Sequence, residues 1–290
     1  MKDYVFLTDS TCDLSPELYD QYGIERFILR FYLDGQEYAD DGQQLAGKAF
    51  YDKMRSGAMP TTAQINPETF AQRFRTAVRQ GQDVLYLCFS SVLSGTYQNA
   101  CMAAKEVMED DPDCRIVVID SMSQCGGEGN LAIAAAERKA QGFSLEELEQ
   151  WILTHRQNFI HLFTVMDLNH LHRGGRLSKT AALAGTMLGI KPVMYTNEEG
   201  RLCVGAKVRG RKAALQMFID KCLVVVEHPE EQVMLINHAD CPEDAQWLAQ
   251  ALKEKLPVKD IRILPLGPVI GSHVGPGCLA LFFQGSSRKF

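Results

Sequence analysis

The sequence predicts an α/β protein of two domains, with a helix-flanked parallel sheet in the N-terminal part and a mixed-sheet α+β unit in the C-terminal part. Three observations carry that prediction. Apolar runs of strand length alternate with helical stretches over residues 4–140, the pattern of βα units feeding a parallel sheet. Past residue 158 strands come in consecutive runs with only two helices among them, which suits a mixed sheet. At 290 residues the chain is also long enough for two ordinary domains sharing one crevice.

Residues 4–8 read as the first strand, and Ser15-Pro16-Glu17 opens a short helix with Ser15 as cap and Pro16 at its first position. Segments 27–33 and 37–38 flank Asp34-Gly35, a hairpin-turn pair. Residues 46–55 read as a helix that ends at Gly57. Asn66-Pro67-Glu68 caps the next helix, with Phe70, Phe74 and Ala77 on one face. Strand 84–89, helix 96–108, strand 116–119 and helix 129–140 follow, with Gly142 as C-cap and the Gly126-Gly127 and Gly129 cluster as a helix start. Ser144-Leu145-Glu146-Glu147 is a capping box whose helix turns Leu148, Trp151 and Ile152 inward. The passage between domains falls around 157–160, giving domains 1–158 and 159–290. Strands 162–166, 193–195 and 202–208, with a turn at 197–200, precede helix 212–225, strand 233–237, helix 242–256 and strands 261–266 and 279–283.

Composition excludes several classes of function. Hydrophobic residues make up 46% and charged residues 23%, ordinary globular usage that argues against disorder. A formal charge of −6 disfavours nucleic acid as a partner, because neutralising phosphates needs a basic face. The nine cysteines are scattered, without a Cys-x-x-Cys pair, and read as reduced thiols rather than a disulfide framework or metal site. The N-terminus has no signal-like apolar core, and no segment has the roughly 18 apolar residues a membrane span needs. The expectation is a cytoplasmic protein, with transient contact with a membrane surface left open.

Chemistry concentrates in small hydroxyl-rich segments that follow the apolar runs: Asp9-Ser10-Thr11, Thr61-Thr62-Ala63-Gln64 in a loop, Ser94-Gly95-Thr96 and Asp120-Ser121. The carboxyl ends of parallel strands form ligand crevices, so these donors gather at one rim, suited to a carboxylate or phosphate held without a metal. Ser94-Gly95-Thr96 reads either as a helix cap or as an anion site using the open amides of a helix start. Gly271-Ser272-His273-Val274-Gly275-Pro276-Gly277 is so rich in glycine that it reads as a loop brought close to a ligand, with His273 on the ligand side. His172-Arg173-Gly174-Gly175-Arg176-Leu177-Ser178 joins two arginines to a glycine pair ahead of a Ser-capped helix; it reads as a carboxylate or phosphate clamp or as a solvated basic turn. The basic stretch Lys207-Val208-Arg209-Gly210-Arg211-Lys212 reads as a strand end and helix start, with partner docking second.

In order and over nearly the whole chain, these motifs resemble the DegV family of bacterial fatty-acid-binding proteins. The residues that carry the resemblance are Leu7-Thr8-Asp9-Ser10-Thr11-Cys12-Asp13-Leu14, Thr61-Thr62-Ala63-Gln64, Ser90-Ser91-Val92-Leu93-Ser94-Gly95-Thr96-Tyr97-Gln98 and Val118-Ile119-Asp120-Ser121. Leu171-His172-Arg173-Gly174-Gly175-Arg176-Leu177-Ser178, Ile190-Lys191-Pro192 and the segment from Gly267 to Gly277 extend it. The resemblance implies a long-chain fatty acid, such as palmitate, stearate or oleate, in a tunnel between two α/β domains, with no cofactor. It implies carboxylate binding by Thr62, Ser94, His273 and Arg173, supported by Thr61, Gly95, Thr96, Ser10, Ser121, Gly271 and Ser272. It also implies delivery of the acid to a fatty acid kinase, for whose docking Arg176, Lys207, Arg209 and Arg211 are candidates. One departure is clear: the family's loop reads Thr-Ser-Gln where this chain has Thr62-Ala63-Gln64, so a hydroxyl is missing there. The alternative is an enzyme, a serine esterase or acyl transferase using Ser94 with His273; no spacing in the sequence places nucleophile, base and orienter together.

Overall fold

The computed structural model describes residues 2–178 and 189–290. Strand β1 (Tyr4–Asp9) is buried at every position, as a central strand covered on both faces must be. A 3-10 turn at Ser10–Cys12 leads to α1 (Pro16–Tyr22) and β2 (Glu25–Phe27). Strands β3 (Arg30–Leu33) and β4 (Gln36–Ala39) form the expected hairpin, with Asp34 and Gly35 both at positive φ (53° and 79°). The segment 27–33 is therefore not one strand, since Phe27 belongs to β2 in a different sheet.

Helix α2 (Gly47–Arg55) is followed by β5 (Thr61–Ala63), which pairs antiparallel with β3. The Thr61-Thr62-Ala63 loop of the sequence reading is thus an edge strand of the three-stranded sheet β4-β3-β5. Helix α3 (Pro67–Arg79) is capped by Asn66, whose side chain accepts the Thr69 amide at 2.9 Å, and buries Phe70, Phe74 and Ala77 completely. Strand β6 (Asp83–Cys88), helix α4 (Thr96–Asp110) and strand β7 (Ile116–Asp120) complete a four-stranded parallel sheet in the order β2-β1-β6-β7.

Helix α5 (Gly126–Ala140) begins three residues earlier than its sequence pattern indicates, and its first turn packs against the second sheet rather than only starting a helix. A Cβ at Gly127 would stand 2.0 Å from Nε2 of His161, and one at Gly126 2.2 Å from Oδ1 of Asn237. Two side-chain-free positions let this helix lie flat on its neighbour. Helix α6 (Leu145–His155) carries the capping box, with Ser144 and Glu147 exchanging side-chain-to-backbone bonds at 3.1 and 2.8 Å.

The second sheet begins with β8 (Phe159–Thr164). Helix α7 (Asn169–Arg173), β9 (Ile190–Thr196), β10 (Leu202–Arg209), α8 (Arg211–Val225), β11 (Val233–His238), α9 (Pro242–Lys253), β12 (Asp260–Pro265), α10 (Pro268–Val274) and β13 (Leu279–Gln284) follow. The six strands run β10-β9-β8-β13-β11-β12, with β11 and β12 parallel and the other pairs antiparallel, the expected mixed sheet. Helix α10 replaces the glycine-rich loop of the sequence reading. Its Gly271 is a packing site, because a Cβ there would lie 2.6 Å from the Tyr51 hydroxyl.

Behind the second sheet, α8 and α9 cover an apolar cluster that includes Phe218, Leu248 and Phe283. On its other face the sheet shares a core with α5 and the four-stranded sheet. Near the C-terminus, Arg288 is 3% exposed and donates to the carbonyls of Phe159 at 3.0 Å and Arg156 at 2.6 Å, and to the Ser123 hydroxyl at 2.8 Å. Burial among these neutral acceptors pulls its guanidinium down to about 9.

Candidate ligand-binding site

A cavity of about 390 Å³ opens where β5, the β6–α4 loop, the β7–α5 connection and α10 converge. Its wall is apolar in the main, from residues including Leu29, Phe89, Leu171 and Val269. A smaller apolar chamber of about 40 Å³ shares Gln124, Leu202, Ile270 and Val274 with it and reaches Phe163, Cys278 and Phe282. The polar groups of the larger cavity are few: Thr11, Thr62, Gln64, Ser94, Gln124, Arg176 and His273.

Thr62 sits mid-strand in β5, and its Oγ1 lies 2.8 Å from Nε2 of His273. Ser94 precedes α4, where its Oγ lies 2.9 Å from the Thr96 Oγ1 and accepts the Thr96 amide at 3.3 Å. Gly95 is the N-cap of α4 and has no side chain to cap with, so the capping reading of Ser94 gives way to a local bond to the Thr96 amide, with Ser94 and Gly95 both lining the cavity. Gly95 is needed for contact, since a Cβ there would meet the Gln64 amide oxygen at 2.1 Å.

His273 is positioned from the opposite end of its helix. The Gly267 amide donates to Asp13 at 2.8 Å and the Val269 amide to Asp40 at 3.4 Å, so two carboxylates of the first unit meet the amide end of α10. The Tyr51 hydroxyl donates to the Leu266 carbonyl at 2.9 Å and ties the approach to that helix. Both carboxylates are buried. Burial, then the neighbouring Asp40 charge, pushes Asp13 well up, and burial raises Asp40 to about 7. His273 itself is lowered to about 4, by burial first and the nearby Arg176 cation second, so its imidazole is neutral at pH 7.

Arg176 is the one charged side chain lining the cavity among the described residues. Its Nε donates to the Leu93 carbonyl at 2.9 Å, beside Ser94. Of the two arginines, Arg176, expected at a docking surface, lines the cavity, whereas Arg173, expected at the carboxylate, does not. Arg173 is exposed and reaches the His170 Nδ1 at 2.8 Å and the Met59 sulfur at 3.2 Å. Between the two arginines the chain reverses at Gly174-Gly175, the latter at φ 75°, which sends Arg176 inward.

The remaining sequence candidates fall outside the cavity lining. Ser10 donates to the Asp40 carboxylate at 2.8 Å, while Ser121 accepts the Ser123 amide at 3.1 Å and Ser272 donates to the Pro268 carbonyl at 2.6 Å, the last two shaping backbone. Thr61 is exposed at the strand edge. Lys207 and Arg209 are exposed near the far end of β10, which runs for roughly 23 Å from the cavity residue Leu202 to Arg209 at ~3.3 Å per residue. Arg211 is paired with Asp244 at 2.8 Å. The Ser-capped helix expected after Ser178 lies outside the described residues. Sequence reasoning assigned no site role to Thr11, Gln64, Gln124 and Leu202. The first two stand inside motifs it singled out, whereas Gln124 and Leu202 carry no local signal.

The hydrolase alternative needs a serine hydroxyl bonded to a histidine that is oriented by a third group. Here the Ser94 hydroxyl pairs with Thr96, the His273 Nε2 with Thr62, and the His273 Nδ1 is buried with no hydrogen-bond partner.

A family model described as "Uncharacterised protein, DegV family" matches residues 5–285. A DegV domain-containing protein of Clostridium perfringens is 43% identical over 290 residues, covering all of both chains. A solved structure described as fatty acid binding of a DegV family protein from Thermus thermophilus superposes with a TM-score of 0.87 at 30% identity, covering 99% of this chain and 100% of that one. A stearic acid-binding protein from Eubacterium ventriosum superposes with a TM-score of 0.86 at 26% identity, covering 96% of this chain and 97% of that one. The fold is thus the α/β architecture of these structures, a parallel sheet and a mixed sheet with a cavity where they meet. This chain belongs to the DegV family. Among its described residues no helix is long and apolar enough to cross a membrane.

Proposed function

We propose that this protein binds one long-chain fatty acid in the cavity between a unit of residues 1–158 and one of residues 159–290, and acts as a carrier rather than an enzyme. The observation that carries the reading is an apolar cavity whose few polar groups include two hydroxyls, a neutral imidazole and a single cation. Burying about 15 methylenes at roughly 0.8 kcal/mol each supplies on the order of 12 kcal/mol before the costs of ordering the tail. The tail thus sets affinity and the head group sets orientation.

Thr62 and Ser94 are the hydroxyl donors to the carboxylate in this reading, with His273 beside Thr62. Arg176 takes the place first given to Arg173, since a buried carboxylate needs a compensating charge or strong donors. Solved relatives described as binding fatty acids support the ligand class. The partner is the fatty acid kinase implied by family resemblance, which would act on a carboxylate presented at the cavity mouth; the distance along β10 disfavours the stretch from Lys207 to Arg211 as its docking site. No cofactor enters this function, and the reading is of a cytoplasmic protein.

Denaturing extraction of purified protein followed by mass spectrometry should recover about one acyl chain per protein, as one buried tail per cavity requires. Protein that emerges empty and refuses added fatty acid would refute the reading. A serine-directed covalent probe separates the hydrolase alternative: a carrier shows no labelling of Ser94.

A further inference from the structure

We infer that Asp13 and Asp40 form a proton-operated latch on α10, and that the protein releases its fatty acid faster in mildly alkaline than in mildly acidic solution. This rests on the fatty-acid reading above and adds the regulation of that same site.

Helix α10 is a partition between two cavities. Its residues Val269, Ile270, His273 and Val274 line the ligand cavity. The chain at its start, Gly267 and Pro268, lines a separate polar cavity of about 590 Å³, whose wall also includes Asp13 and Asp40. Each of these acids is 7% exposed, and the polar cavity gives their protons a path. The two carboxyls crowd one point at the head of the helix. A Cβ on Gly267 would stand 2.8 Å from Oδ1 of Asp13 and 2.9 Å from Oδ1 of Asp40, so the two oxygens are close neighbours. Beyond the other end, Gly275 and Gly277 stand at positive φ (73° and 78°), joints about which so short a helix shifts.

The bonding partners of both acids are neutral: the Gly267 amide and Cys125 thiol for Asp13, the Val269 amide and Ser10 hydroxyl for Asp40. The titratable groups around them do not compensate. Asp9, Asp41 and Glu128 are further acids. The Tyr19 and Tyr51 hydroxyls and the Cys12, Cys125 and Cys278 thiols stay neutral through burial. Arg26, on the same cavity wall, stacks over the Tyr19 ring at 4.1 Å. An ionised carboxylate bonds a helix amide better than a neutral one does. Burial outweighs that gain here, since Asp13 is pushed well up and Asp40 to about 7. Seated, α10 covers both acids; unseated, it returns them to water. As pH rises through 7, Asp40 ionises and the seated helix loses the stability linked to its proton. With the helix goes the wall that Val269, Ile270 and His273 give the ligand cavity.

The test loads delipidated protein with radiolabelled stearic acid and follows its release into a hydrophobic resin. Release from the wild type should be about tenfold faster at about pH 8 than at about pH 6, the change set by one proton lost on opening. Asp40→Asn should release at nearly the same rate at both. Equal rates in the wild type, or an acceleration that Asp40→Asn retains, would overturn the latch. Hydrogen exchange at residues 268–274 of the unliganded wild type is a second measurement that needs no variant. Protection there should fall over the same pH range, after correction for intrinsic exchange, and unchanged protection would equally overturn the latch. Protein that takes up no stearic acid at either pH brings down the fatty-acid reading itself, and the exchange measurement then still decides the latch.

Discussion

Thr62 and His273 meet at 2.8 Å although 211 positions of chain separate them. One comes from an edge strand of the three-stranded sheet and the other from α10, so this contact ties that sheet to the helix before β13. Thr62→Val keeps the shape and removes the oxygen, stranding the imidazole nitrogen. Fatty acid affinity should fall by about 1–3 kcal/mol, roughly tenfold or more. Isothermal titration with a long-chain acid checks this, and unchanged affinity with an unchanged melting temperature would remove Thr62 from the site.

The two arginines of the 172–178 turn separate by experiment. Arg176→Gln should weaken carboxylate binding by about tenfold to a hundredfold, the usual cost of losing a charged hydrogen bond. Arg173→Gln should leave it within about twofold, since exposed charge contributes little. A methyl ester of the same acid supplies the control, because it lacks the charge that Arg176 is proposed to meet. Equal losses in the two variants would contradict the assignment.

Asp40 makes stability depend on pH in a predictable direction. Its folded-state pKa of about 7 lies above the ordinary value of 3.8, so the folded chain holds the extra proton between the two. Stability linked to this group is complete below about pH 4 and is lost as pH rises through 7. Asp40→Asn removes the ionisation and keeps one acceptor, for the Val269 amide, while its NH2 group faces the Ser10 hydroxyl, which can accept. Its advantage over wild type should grow with pH to at most about 4 kcal/mol. Thermal melts at about pH 5 and about pH 8 compare the two chains, and a difference that does not change with pH would show that Asp40 titrates normally.

Gly127→Ala should destabilise the fold by about 1–3 kcal/mol, because the new methyl group runs into the buried ring of His161. His161 has no hydrogen-bond partner at either nitrogen, so truncating it strands no polar group. The double variant with His161→Ala should therefore recover part of the loss, a coupling readable from chemical denaturation. Strictly additive effects would mean that the two residues do not share this space.

Much of the fold was legible because its signals are local. Buried parallel strands such as β1 and β6 are unbroken apolar runs, and the caps at Asn66 and Ser144 announce their helices. Helix α10 was missed for a reason that lies elsewhere in the chain. Its Gly271 suggests a loop, but the glycine is there because Tyr51 occupies the space of its side chain. The short β5 escaped likewise, since only pairing with β3 makes it a strand. Thr62, Ser94 and His273 stand in legible motifs and line the cavity, while the presence of Arg176 there in place of Arg173 follows from how one glycine pair turns. Gln124 carries no periodicity or motif at all; only the cavity it borders distinguishes it.

The order of the six-stranded sheet has a bearing on how it assembles. Its last strand to be made, β13, is inserted between β8 and β11, and Arg288 follows only four residues later. Until residues 279–284 are in place, the sheet is missing an interior member, and β8 and β11 each keep an unpaired edge. The sheet becomes continuous only through the pairing of β8 with a strand far along the chain, the kind of non-local closure that slows folding.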